Sequence, residues 1–142
     1  MARIGVLINP DAGLGGRLGL KGSDGQAEFA REQGAEDRSG PRMVKMLQHF
    51  STINRKDPAE IVWITSKGRM GSDWIPSGTG STEANIIHDS DGKTNALDTN
   101  EFVRRLIESE VELLVYSGGD GTTRDIVSAL IENGKPNLPV IG

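Results

Sequence analysis

"VYSGGDGTTRD", residues 115–125, carries an apolar run into three glycines set around Asp120, and then out into an amphipathic segment. An apolar run with little polar alternation reads as a strand buried on both faces. A glycine turn leading from such a strand straight into a helix is the joint of a βα unit, the building block of open parallel sheets.

Working outward, "RIGVLI" at 3–8, "EIVWIT" at 60–65 and "ELLVYS" at 112–117 have the same buried-strand character. "ANIIH" at 84–88 and "LPVIG" at 138–142 are weaker strands, and Pro139 pushes the last toward a sheet edge or a strand start. Three segments between them carry helical period. Met43, Met46, Leu47 and Phe50 share one face; Phe102, Val103, Leu106 and Ile107 another; Ile126, Val127, Leu130 and Ile131 a third. Asp98 with Glu101 suggests a capping box for the second helix, and Asn133-Gly134 followed by Pro136 a stop for the third. The alternation predicts an α/β fold: an open, mostly parallel sheet with helices on both faces and right-handed crossovers, Rossmann-like in kind. Ligands of such sheets sit at the carboxyl ends of the strands, where Asn9 and Gly118 both fall. Residues 67–83, rich in Gly and Ser, read as a mobile excursion with a short helical turn.

At 142 residues the chain is one domain's worth, 1–142, expected to fold as a unit. Its net charge of -4 argues against a protein that coats DNA or an anionic membrane, so any phosphate must be held locally. With no cysteine, disulfides, thiolate metal sites and thiol nucleophiles are excluded. The apolar run before Asn9-Pro10 is too short for a signal peptide or a membrane span. The expectation is a cytoplasmic protein with no nucleic-acid or membrane partner. Its 19 glycines gather at 13–25, 68–80 and 118–121, where apolar flanks make them loops.

Gly118, Gly119, Gly121 and Thr122 occupy a strand-to-helix turn whose backbone can approach a polyphosphate and whose N–H groups favour anions. Asp120 in their midst would repel phosphate unless a cation, or the proton of a substrate hydroxyl, stood between them. The same residues also suit a plain tight turn with Asp120 or Thr122 as helix cap. From the chain's own composition, a match to those five residues arises by chance on the order of one time in a thousand.

The second constellation is "NPDAGLGGRLGLKGSDG", 9–25. Asn9 can orient a loop through side-chain hydrogen bonds, and Arg17 and Lys21 can reach phosphate oxygens, although solvated surface cations would look the same. Neither the Walker nor the dinucleotide spacing is present. In 89–98, Gly92 falls too early for a calcium loop. His49 and His88 stand on separate elements and read as surface or packing residues, Trp63 and Trp74 as core or boundary residues.

Together, "NPDAGLGGRLGLKG" and "GGDGTTRD" resemble the ATP-NAD kinase family, in its ATP-NAD kinase-like or acetoin-catabolism X-like branch. That family shares a kinase superfamily with 6-phosphofructokinases, diacylglycerol kinases and sphingosine kinases. The resemblance spans the chain, including Met70-Gly71 and Asp98-Thr99. It implies an amino-terminal, phosphofructokinase-like α/β domain that contributes the GGDGT loop, followed by a β-rich domain carrying most NAD contacts. The chain stops at Gly142, so that second domain is expected to lie outside it. The resemblance further implies ATP-dependent phosphorylation of the ribose 2'-hydroxyl of NAD, giving NADP. Asp120 would accept the hydroxyl proton, Gly118, Gly119, Gly121 and Thr122 would cradle the phosphates, and Asn9 and Arg17 would support them. Magnesium would offset the charge of Asp120, with no ligand set assigned to it. The partners expected are small nucleotides and, in assembly, further copies of the chain. A lipid kinase would use Asp120 in the same way on another alcohol, and a non-catalytic nucleotide-binding domain would keep the loop alone.

Overall fold

The structure is a computed structural model that describes residues 1–12, 37–90 and 95–142. The elements follow in the order β1 (Ala2–Ile8), α1 (Ser39–Asn54), β2 (Ile61–Ser66), β3 (Asn85–His88), α2 (Ala96–Glu108), β4 (Leu113–Ser117), α3 (Asp120–Glu132) and β5 (Val140–Ile141). Two 3-10 turns, Gly68–Met70 and Ser72–Trp74, sit between β2 and β3. All five strands are parallel, in the spatial order β3-β2-β1-β4-β5. The three apolar runs form the sheet centre, and the two weaker candidates form its edges. Pro139 immediately precedes the two-residue edge strand β5.

This order has a direction change built into it. From β1 the chain steps to β2 and β3, then crosses back to β4 on the other side of β1. The connections leaving β1 and β4 diverge, which opens a crevice at their carboxyl ends. The register pairs Ile8 with Ser117, and the Asn9 amide donates to the Ser117 carbonyl at 2.9 Å. Asn9 and Gly118 therefore stand side by side at the mouth of that crevice.

Each face of the sheet buries its own apolar cluster. Leu7, Ile64 and Leu114 pack with Phe102, Val103 and Leu106 of α2 and Ile126, Ala129 and Leu130 of α3. On the opposite face Val6, Ile8, Ile61 and Trp63 pack with Met43 and Leu47 of α1, and Phe50 meets Trp63 edge-on at 5.7 Å. Gly5 lets α2 lie close, since a Cβ there would come within 3.0 Å of Leu106 Cδ2.

Local details depart from the sequence expectation in instructive ways. α3 buries Thr122, Ile126, Ala129 and Leu130, whereas Val127 and Ile131 are 47% and 62% exposed. The buried line is rotated by about one residue because the small Thr122 and Ala129 allow closest approach to the sheet. Met46 is likewise turned outward on α1. The cap of α2 is Asn95, three residues before the expected one. Its Oδ1 accepts from Leu97 N at 2.9 Å and Asp98 N at 3.1 Å, while Asp98 Oδ2 accepts from Asn95 N at 3.2 Å. Glu101 instead pairs with Arg104 and Arg105.

Most other expectations are met. Gly134 takes φ 71°, and the bonds from Gly134 N to Ile131 O and Lys135 N to Leu130 O close α3 in a Schellman motif. The 67–83 segment holds two short helical turns where one was expected, and in place of a mobile excursion it is anchored by buried Met70 and by the Trp74 indole donating to Arg69 O at 2.8 Å. His88 is buried against Phe102, with burial and the charge of Arg105 holding its imidazole below its ordinary value, while His49 is exposed. Trp63 is core and Trp74 half-buried.

Candidate phosphate site

β4 ends at Ser117, the chain passes through Gly118 and Gly119, and α3 begins at Asp120. The N-cap of α3 is Gly119, which has no side chain to cap with, and no other side chain bonds to the cap. The first intrahelical link is Thr123 N to Gly119 O at 3.0 Å. Consequently the N–H groups of Asp120, Gly121 and Thr122 have no acceptor among the described residues. Neither Asp120 nor Thr122 caps the helix. Asp120 is the first helical residue rather than the cap, and the Thr122 hydroxyl is engaged elsewhere.

The two glycines before the helix have different causes. At Gly118 a Cβ would lie 2.6 Å from Thr122 Cβ and 2.7 Å from its Cγ2, so the protein's own packing demands glycine. At Gly119 a Cβ would meet nothing within 4 Å, and φ of -103° is open to any residue. Packing does not require glycine at 119, which serves as the N-cap and leaves the backbone there uncovered by any side chain.

Asn9 ties the crevice together across 113 residues of sequence. Its Nδ2 donates to Thr122 Oγ1 at 2.9 Å, and its Oδ1 accepts from Asp11 N at 3.1 Å. Thr122 is 4% exposed. A second tether joins Tyr116 to Thr123 through their hydroxyls at 2.5 Å, a contact that motif spacing did not single out. Tyr116 lies four residues before Asp120, on the strand whose end positions the loop.

Asp120 itself is exposed at the helix start, with no hydrogen bond or ion pair to a described residue. The structure thus gathers Asn9, Gly118, Gly119, Asp120, Gly121 and Thr122 at one crevice. Arg17 and Lys21, with the rest of the glycine-rich loop over 13–36, lie outside the described residues, as do Asp91, Gly92, Lys93 and Thr94. Among the described residues no group of three His, Asp or Glu side chains is arranged to hold a metal ion. No helix among them is long and apolar enough to cross a membrane.

The family model described as the ATP-NAD kinase N-terminal domain matches residues 4–142. The chain belongs to this family, and membership supports kinase-type phosphoryl transfer as its class of chemistry. No curated protein and no solved structure matches the chain.

Proposed function

We propose that this member of the ATP-NAD kinase family binds the triphosphate of ATP at the start of α3 and contributes Asp120 to phosphoryl transfer onto the ribose 2'-hydroxyl of NAD. The observation that carries the reading is the helix start itself: three N–H groups and a carboxylate with no partner among the described residues, and a glycine at 119 that packing does not require.

The residues fit a polyphosphate. Backbone N–H groups of Asp120, Gly121 and Thr122 supply donors and the positive end of the helix dipole, together an anion site. Asp120 lines up the acceptor hydroxyl and takes its proton as the oxygen bonds to the γ-phosphorus and the bond from that phosphorus to the bridging oxygen breaks, releasing ADP. A loose phosphoryl-transfer transition state asks mainly for alignment of the hydroxyl and releases the proton late. Magnesium carried in with the nucleotide would supply positive charge to offset that of the phosphates and Asp120. The remaining NAD contacts belong, on this reading, to a β-rich domain beyond Gly142.

Titration with ATP and NAD, followed by an assay for NADP, tests the proposal. NADP formation supports it. Binding of ATP without turnover of any alcohol would mark a nucleotide-binding domain, and phosphorylation of diacylglycerol or a sphingoid base in place of NAD would mark a lipid kinase.

A further inference from the structure

We infer that Asn9 is a positioning residue that fixes the direction of the Thr122 hydroxyl, so that Thr122 donates its proton to an anionic oxygen held at the start of α3. The inference rests on the phosphate-site reading above.

The orientation of the Asn9 amide is settled by its neighbours. The Asp11 N–H, 3.1 Å away, can only be accepted by an oxygen, which identifies that terminal atom as Oδ1. The other atom, 2.9 Å from Thr122 Oγ1, is therefore Nδ2, which donates and cannot accept. Thr122 Oγ1 must be the acceptor in this bond, and its own proton has to go elsewhere.

A threonine in a helix usually sends that proton to the carbonyl one turn back. Thr123 does so, its Oγ1 lying 3.2 Å from Gly119 O. Thr122 makes no such bond to a described residue, although it is almost wholly buried. Its side chain lies over the Cα of Gly118, which is exposed at the crevice. Thr122 Oγ1 lies beside Gly118, close to the helix-start N–H groups that no described residue accepts, and this is the space open to its proton. Leaving a buried donor unmade is costly, and a phosphoryl oxygen would remove that cost through a charge-assisted bond. The backbone of the β1 loop orients Asn9, Asn9 orients Thr122, and Thr122 meets the nucleotide.

A double-mutant cycle on magnesium-ATP affinity, read by calorimetry with melting curves alongside, tests this. Thr122→Val should weaken binding about tenfold or more, and Thr122→Ser should recover most of that loss. Asn9→Leu should cost a similar factor when Thr122 is present and less than about twofold in the Thr122→Val background, since there is no hydroxyl left to orient. Equal factors in both backgrounds would overturn the inference, because Asn9 would then act on the nucleotide directly or only through the loop. If Asn9→Leu does not fold, Asn9→Asp serves: its carboxylate can still accept from Asp11 N–H but captures the Thr122 proton. In that background Thr122→Val should no longer change affinity, and a persisting tenfold loss would again overturn the inference. A wild-type protein that binds no magnesium-ATP would remove the phosphate-site reading itself, a separate outcome from a failed cycle.

Discussion

Two helices begin at the carboxyl edge of the same sheet, and they treat their first turns in opposite ways. α2 is closed by its own side chains: Asn95 accepts two backbone N–H groups and Asp98 returns the bond. α3 is preceded by glycines, capped by none, and presents its N–H groups to the crevice. A side-chain cap is worth about 1 kcal/mol over alanine but only about a few tenths over glycine, so the glycine start of α3 forgoes little of the stability its neighbour keeps. What α3 has in exchange is a first turn whose N–H groups no described residue accepts, at the position where the sheet order reverses. The difference teaches that the sheet positions both helix starts, while side-chain chemistry decides which one is left for a ligand.

The comparison breaks most visibly at Asp120. Asp120→Asn keeps the shape but cannot accept a proton, so in the complete protein, with its β-rich domain, NADP formation should fall by roughly 10²–10⁴-fold with the melting temperature unchanged. Near-normal turnover would remove the general-base role and leave Asp120 an ordinary acidic residue in a helix's first turn.

The paired glycines sharpen it next. Gly118→Val forces a Cβ into Thr122 and should destabilise the fold by about 1–3 kcal/mol. Gly119→Val adds its Cβ into open space, so its melting curve should stay near wild type while ATP affinity falls by about tenfold or more. Loss of affinity and stability in equal measure at Gly119 would return that position to a structural role.

Asn95→Ala is the converse. It removes the α2 cap and should cost about 1 kcal/mol, a few degrees of melting temperature, with ATP affinity unaltered. An affinity change would show that the two helix starts are not independent.

The smallest effect is expected on the outer face of α2, where hydrogen bonds from Arg104 and Arg105 hold the Glu101 carboxyl down to about 2 from its ordinary 4.5. A carboxyl lowered in the folded state stabilises above its unfolded value and loses that contribution as pH falls through the folded one. Glu101 is 40% exposed, so solvent screening keeps the pair's worth under about 1 kcal/mol. Glu101→Gln should therefore lower stability slightly at neutral pH, with the difference shrinking between pH 4.5 and 2. A difference constant across that range would contradict the ion pairing.

The sequence made some of this legible and hid the rest for physical reasons. Buried strands declare themselves as apolar runs, so "RIGVLI", "EIVWIT" and "ELLVYS" stood out, and the glycine turn marked the β4 to α3 joint. Helical period shows that a face exists but not which neighbouring stripe touches the sheet, hence the misplaced Val127 and Ile131. Asn95 and Asp98 are both capping types three residues apart, and only packing of Thr99 and Phe102 fixes where α2 starts. The Asn9 to Thr122 bond depends on parallel pairing of Ile8 with Ser117, a register no local pattern encodes. Likewise, the two causes of glycine at 118 and 119 separate only once Thr122 is placed.

The most direct test of the central claim is a titration of isotopically labelled protein with magnesium-ATP, following backbone amide resonances at both helix starts. The account predicts large, saturable shifts at Gly119, Asp120, Gly121 and Thr122, with Leu97 and Asp98 unmoved because their N–H groups are already bonded to Asn95. Saturable ATP binding that leaves the Gly119 to Thr122 amides in place would contradict it.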